Sequence, residues 1–188
     1  VTPPAPDALW PRNKLGVSIW VELLLSKFLY GQPTARLLQD WAERGLRIEL
    51  RPRPAAASLE EAAELLGLQP NDIVKTLVVK RSDDSYLFAL VPGGRSISWP
   101  KLRTVVGVNK LQLPDPERAL AATGYERGTI VPIGSTHPWP VYADTSILGR
   151  RVAMGAGAHG YSLFVDADEL ISAYGAVVAD ISQDAVPR

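Results

Sequence analysis

A chain of 188 residues with 46% hydrophobic content is long enough for one domain with a proper core. Its 20 lysines and arginines balance 20 aspartates and glutamates, so no global field draws in nucleic acid, and any RNA contact has to rest on a local patch. The absence of cysteine excludes disulfides, thiolate metal sites and cysteine nucleophiles, and makes a reducing cytoplasm the expected compartment.

The first 33 residues read as an amino-terminal extension. Val1 to Pro11 holds four prolines and is expected to be an extended, partly mobile tail. Leu15 to Tyr30 is apolar, but Glu22 and Lys27 interrupt it and it falls short of a membrane span. An amphipathic docking helix with Ile19, Leu23 and Leu24 inward is expected instead. Residues 34–188 then form the main domain.

From Pro33 the pattern is regular. Thr34 is placed to cap a helix reaching Arg44, with Ala35, Leu38 and Trp41 or Ala42 inward and Gly45 at the stop. Leu46, Ile48 and Leu50 alternate with charges as a half-exposed strand. Ser58 and Glu61 make a capping box for a helix that Gly67 closes. The strand Asp72–Lys80 and a strand Tyr86–Val91, joined by Ser82-Asp83-Asp84-Ser85, are expected to pair as a hairpin. Ser98 and Asp115, each followed by proline, open helices ending at Gly107 and Gly124. Short strands follow at Val141–Asp144, Arg151–Met154 and Tyr161–Val165. Asp166 caps a last helix to Gly175, before a strand over Val177–Ile181. Hairpins thus mix with crossovers, which predicts an α+β fold with a mixed, strongly curved sheet.

One strand carries a cation in an unusual place. Period-2 alternation puts Ile73, Lys75, Leu77 and Val79 on one face and Val74, Thr76, Val78 and Lys80 on the other. A strand apolar on both faces is covered on both, so Lys75 is expected to lie partly out of water and to need a partner, whereas Lys80 can end the strand in solvent. If the cation is kept for a substrate, removing it is expected to leave folding unharmed or slightly improved. If it is a structural ion pair, its loss strands a buried acid and destabilises the fold; a snorkelling side chain is the third reading.

Other motifs are weaker. Gly155-Ala-Gly-Ala-His-Gly160 spells GxGxxG, yet Tyr161–Val165 reads as a strand where a dinucleotide fingerprint needs a helix. A glycine turn that lets a ligand approach the backbone is the better reading. His137 and His159 have neither metal-ligand spacing nor a serine elbow beside them, and read as surface histidines. The stretch Thr123–Gly134, punctuated by Gly124, Gly128, Pro132 and Gly134, can present main-chain donors to a carbonyl or carboxylate oxygen, or can be an ordinary connection.

Taken in order, Leu66-Gly67, Val74-Lys75-Thr76-Leu77, Thr123-Gly124-Tyr125, Gly128 with Pro132, Asp144, Gly157 to Gly160 and Ala179-Asp180-Ile181 resemble the YbaK-type aminoacyl-tRNA deacylases. These are free-standing relatives of the editing domain inserted in bacterial prolyl-tRNA synthetases. The likeness covers about residues 34 to 182. It implies a mixed, barrel-like sheet surrounded by helices, and no metal or organic cofactor. It implies catalysis by Lys75 and the loop from Gly128 to Pro132, with Thr76, Thr123, Gly124, Gly134, Asp144, Gly157 and His159 on the substrate. The chain departs from the family pattern at Ala158 and His159, where relatives often carry a basic residue, and at Arg53, which stands where a histidine is common.

The implied activity is trans-editing, meaning hydrolysis of the ester of misacylated tRNA, with proline tRNA carrying a wrong amino acid as substrate. An aminoacyl ester is already activated, so positioned water and oxyanion stabilisation suffice without a strong nucleophile. The resemblance also implies that the substrate's terminal ribose hydroxyl helps to activate the water. Lys75 would hold the phosphate or carbonyl end as a fixed charge. The expected partner is the aminoacylated 3′ end of tRNA, with an aminoacyl-tRNA synthetase as a second candidate, and neither membrane nor DNA. Lys80, Arg81, Lys101 and Arg103 are the candidate RNA cluster by sequence proximity. Two other readings keep the fold: a non-catalytic tRNA-end or synthetase-binding module, and a hydrolase of some other small acyl ester.

Overall fold

The computed structural model describes residues 33–53, 56 and 58–185. The proline-rich tail and the helix expected over Leu15–Tyr30 lie outside the described residues.

Helix α1 (Pro33–Arg44) begins at Pro33, one residue before the cap expected at Thr34. Its inward stripe is Leu37, fully buried, and Trp41, while Leu38 is partly exposed and Ala42 exposed. The four-residue spacing of Leu37 and Trp41 stacks them on one face, and the indole N–H of Trp41 donates to Leu46 O. Arg36 and Asp40 occupy the neighbouring stripe and are used for hydrogen bonds to the 124–134 segment.

Strand β1 (Ile48–Pro52) leads to α2 (Leu59–Leu66), where Ser58 Oγ accepts from the Glu61 N–H at 3.1 Å and Gly67 closes the helix in the left-handed region. A 3₁₀ turn at Pro70–Asp72 precedes β2 (Val74–Arg81), β3 (Tyr86–Pro92) and β4 (Arg95–Ile97). Then come α3 (Trp99–Val106), β5 (Leu111–Gln112) and α4 (Pro116–Thr123). The last third holds β6 (Val141–Asp144), β7 (Arg151–Gly155), β8 (Tyr161–Asp166), α5 (Ala167–Tyr174), β9 (Val177–Ala179) and β10 (Ser182–Asp184). The proline-in, glycine-out pattern locates α3 and α4 as expected, whereas β4, β5 and β10 are too short to show a periodicity.

The fold is mixed α+β. The hairpin β2–β3 is antiparallel with Lys75 opposite Val91, and β3–β6 and β6–β9 are parallel crossovers, giving the order β5-β2-β3-β6-β9. A second sheet has the antiparallel order β1-β8-β7, and β10 pairs with β4. The single barrel-like sheet of the sequence expectation is thus three sheets among the described residues, none of them closed. The outer edge of β2 explains this. It meets β5 only at Lys80 and Arg81, and the second sheet only through the single bridge Ile73–Ala153. Among the described residues no helix is long and apolar enough to cross a membrane.

The main core lies on the Leu77/Val79 face of β2, where Val79, Leu87, Ala89 and Val91 meet Leu102 of α3, Ile97 and Ile181. Lys80 does not end in solvent: its side chain is 14% exposed and pairs with Asp84, which takes a positive φ of 59° in the turn. Leu102 is fully buried at the centre of this cluster, so Leu102→Ala should cost about 2–5 kcal/mol by loss of transfer energy and by the cavity left behind. Urea unfolding, with the midpoint lowered and the slope unchanged, checks this.

Candidate active site

Where β2 and β7 diverge beyond the Ile73–Ala153 bridge, a cleft of ≈ 510 Å³ opens. One wall is β2 from Val74 to Val78, another is Ala153 to Gly155 of β7, and Gly128 and Ile130 of the loop after α4 close a third side. Ala62 and Leu66 of α2, and Pro116 and Ala119 of α4, complete the apolar lining. The arrangement follows from strand pairing. Between Val74 and Val79 the outer edge of β2 has no partner strand among the described residues, so main-chain groups face the cleft.

Lys75 is half-buried on this wall and meets no acid. Its Nζ donates to Gly93 O at 2.8 Å, in the turn between β3 and β4, and to Arg95 O, at the start of β4. Burial pushes the ammonium pKa below the usual lysine value. Two of its three donors are therefore spent on carbonyls and one is uncommitted. Neighbouring Thr76 also lines the cleft, and its buried hydroxyl has no hydrogen-bond partner. The two carbonyls add a cost that the strand pattern did not contain, because a Lys75 deletion strands the Gly93 acceptor in the interior.

The loop from Gly128 to Pro132 is held from below. Gly128 has a φ of 91°, and its N–H donates to no group among the described residues, whereas Ile130 closes the tight turn over 127–129. The Gly157 N–H donates to Thr129 O at 2.9 Å. A Cβ on Gly155 would lie 2.5 Å from Ile130 O, and one on Gly157 would lie 2.8 Å from the Tyr125 ring. The glycines of the GxGxxG stretch thus let this loop approach, and a strand, β8, follows them as the sequence predicts. Tyr125 is fully buried beneath, its hydroxyl donating to Ile133 O at 2.7 Å, and burial pushes its pKa well above the usual phenol value.

The other predicted site residues scatter. Pro132 and Gly134 line a separate recess of ≈ 190 Å³ with Asp40, Ser135 and Tyr174, not the cleft. Gly134 is wedged against α1, where an added Cβ would sit 2.3 Å from Leu37 N, and its N–H donates to Asp40 Oδ2 at 2.9 Å. Gly124 caps α4, with its carbonyl accepting from Arg36 at 3.0 Å. Thr123 is fully buried and its hydroxyl serves Ala119 O and the Tyr125 N–H. Asp144 is 2% exposed. Burial works to raise its pKa, but hydrogen bonds from Ser146, Ser182 and the Ser146 and Ile181 amides outweigh it and hold the carboxyl below its usual value. His159 adjoins Gly128, with Cε1 4.0 Å from where a Cβ there would be, and pairs through Nε2 with Glu126 at 3.0 Å. Only Lys75, Thr76 and Gly128 of the predicted set line the cleft. Two further cations line it: Arg53, at the position that the resemblance puts at the rim of the amino-acid pocket, and Arg127, which the sequence reading had not assigned to it. The signal for the second was present, since Arg127 is the sole cation of the Thr123–Gly134 stretch. Among the described residues no group of three or more His, Asp or Glu could hold a metal ion.

Residues 53–173, spanning the cleft walls, match the family model described as aminoacyl-tRNA editing domain. The chain belongs to that family. A proline–tRNA ligase of Shouchella clausii is 37% identical over 115 residues, covering 61% of this chain and 20% of the ligase. A candidate Cys-tRNA(Pro)/Cys-tRNA(Cys) deacylase of Enterococcus faecalis, EbsC, is 29% identical over 126 residues, covering 66% of this chain and 77% of its own. A crystal structure of a candidate trans-editing enzyme for prolyl-tRNA synthetase superposes with a TM-score of 0.72 at 29% identity, covering 81% of this chain and 98% of that one. The editing domain spans only 20% and 24% of the length of the first two ligases it matches.

The contact of Gly155 with the loop yields a test. Gly155→Ala pushes a methyl into Thr129 and Ile130 backbone atoms that cannot swing aside, so the loop must shift. The melting temperature should fall by several degrees, equivalent to about 1–3 kcal/mol. The amide signals of Gly128 and Ile130 should move most in an NMR comparison.

Proposed function

We propose that this protein is a trans-editing deacylase that hydrolyses the ester of misacylated tRNA, proline tRNA with a wrong amino acid being the substrate. The single observation carrying the reading is the cleft of an editing-family chain that brings Lys75 onto one lining with Gly128, whose N–H is unspent. The names of the Enterococcus relative and of the superposed protein support the same substrate class.

In this reading the ester carbonyl oxygen is received by the Gly128 amide, within the tight turn over 127–129, which stabilises the oxyanion as water attacks. Its value lies in being fixed before the substrate arrives, because the glycines beneath the loop and the Tyr125 hydroxyl hold the loop's path. Lys75 supplies a fixed positive charge with one donor to spare. Pro132 sets the loop's course and Gly134 anchors it to α1, so both act through the loop. We assign Thr123, Gly124, Asp144 and Gly157 to positioning the walls. No cofactor has a role, and the water is activated by the substrate's own ribose hydroxyl. The site operates in the cytoplasm on the aminoacylated 3′ end, beside a synthetase that makes the errors.

Deacylation of a panel of mischarged tRNAs by purified protein tests this, and turnover of none of them refutes it. Lys75→Ala should slow single-turnover hydrolysis by about a hundredfold or more. Its stability should fall by about 1–3 kcal/mol as the Gly93 and Arg95 carbonyls lose their donor. Lys75→Arg should not fully restore the rate, because the planar fork is bulkier and places its charge elsewhere. A Lys75→Ala protein that melts early yet stays proportionately active would mean that the lysine only pins the β3–β4 turn.

For domain organisation we propose an amino-terminal extension over residues 1–33 and the editing domain over 34–188. All the cleft residues fall in the second part. Deleting residues 1–32, just ahead of α1, should leave hydrolysis largely intact in the panel assay. Complete loss from a folded truncation would overturn this division.

A further inference from the structure

The chain is neutral overall, but the cleft is not. Its described lining holds Arg53, Lys75 and Arg127 and no aspartate or glutamate. The undescribed neighbours of Arg53, at positions 54, 55 and 57, are a proline and two alanines and add no acid. Elsewhere most surface cations are paired locally: Arg47 with Glu169, Lys80 with Asp84, Lys101 with Asp180, Arg150 with Asp72, and Arg51 and Arg151 sharing Glu49. Arg53 and Arg127 have no ion-pair partner among the described residues. The acid beside Arg127, Glu126, is engaged by His159 instead. Two of the cations that sequence proximity suggested for RNA, Lys80 and Lys101, are spent on aspartates, and none of the four lines the cleft.

Arg127 is exposed and Arg53 partly so, yet neither meets an acid on a lining that carries none, so the cleft presents uncompensated positive charge suited to an anion brought from outside. The guanidinium fork suits phosphate oxygens, and the two side chains arrive from separate segments, the end of β1 and the loop after α4. We propose that Arg53 and Arg127 form a two-point clamp for the sugar–phosphate backbone of the single-stranded RNA 3′ end that enters the cleft. This rests on the deacylase reading for the identity of the RNA, but it concerns binding and is testable without turnover. Net neutrality then has a use: steering is confined to the cleft, and other nucleic acid is not held by the rest of the surface.

The test is fluorescence anisotropy with a labelled, uncharged RNA hairpin that mimics an acceptor stem with its free 3′ end, titrated across salt concentrations. The double variant Arg53→Gln/Arg127→Gln should bind about tenfold or more weakly at low salt. Its log–log salt slope should be shallower by about 1.4, the loss of two single-strand phosphate contacts. Arg53→Lys/Arg127→Lys, which keeps the charge, should restore most of the slope. Lys101→Gln, which loses a cation already paired with Asp180, should match the wild type. A folded Gln double variant with unchanged affinity and slope overturns the clamp, as does a wild type that fails to bind the hairpin at low salt. The mischarged-tRNA panel is run alongside. No turnover together with the predicted slope change removes the deacylase reading and leaves the clamp standing, and turnover with an unchanged slope does the reverse.

Discussion

Everything at the cleft depends on the asymmetric pairing of β2. One edge is bonded to β3 from Val74 to Lys80, which fixes the strand rigidly in the core. The other edge is tied only at its ends, by the Ile73–Ala153 bridge and by Lys80 and Arg81 against β5. Between those ties a stretch of strand backbone is left without a ladder, and an unladdered edge inside a fold must be satisfied by something else. Here that something is an open cleft. Had β7 continued to pair with β2, the two large sheets would have merged and no cleft would exist.

The loop opposite that edge is rigid for a different reason. It has no regular structure, yet it is fastened along its length by side chains and by close backbone approach. Tyr125 reaches from its start to Ile133 O at 2.7 Å, Asp40 accepts the Gly134 N–H, and Arg36 donates to the carbonyls of Gly134 and Gly124 while its guanidinium lies 5.6 Å from the Tyr125 ring. Gly155 and Gly157 admit the loop from the side of β7. Such a segment can hold the unspent Gly128 N–H in a fixed position, which is what preorganised stabilisation of a developing charge requires. The same fastenings explain why several glycine and threonine positions of the motif are buried supports and not contact surfaces.

Much of this was legible in the chain. The hairpin Asp72–Val91 was read from two apolar runs around a Ser-Asp-Asp-Ser turn. The caps at Ser58, Asp115 and Asp166 and the glycine stops at 67, 107, 124 and 175 were read from local chemistry that acts within a few residues. The placement of Lys75 on a covered face followed from period-2 alternation. The phase of α1 was missed, because Leu37 and Leu38 are equally apolar and only packing against Leu46 and the 124–134 segment selects between them.

What the sequence determined by itself was therefore local: which of the longer segments are strands or helices, where most of them end, that no cysteine is available, and that a lysine would be held among apolar neighbours. Only the tertiary structure decided what that lysine bonds to, since Gly93 and Arg95 are ordinary residues until the turn folds back over β2. It also decided that β2 would keep a free edge, that Asp144 would be spent inside the fold, and that Arg53 and Arg127 would share one cleft while Lys80 and Lys101 were neutralised. The reason is physical: strand periodicity and helix caps are set by neighbours in sequence, whereas the pairing of a charge or an edge is set by whichever distant segment arrives beside it.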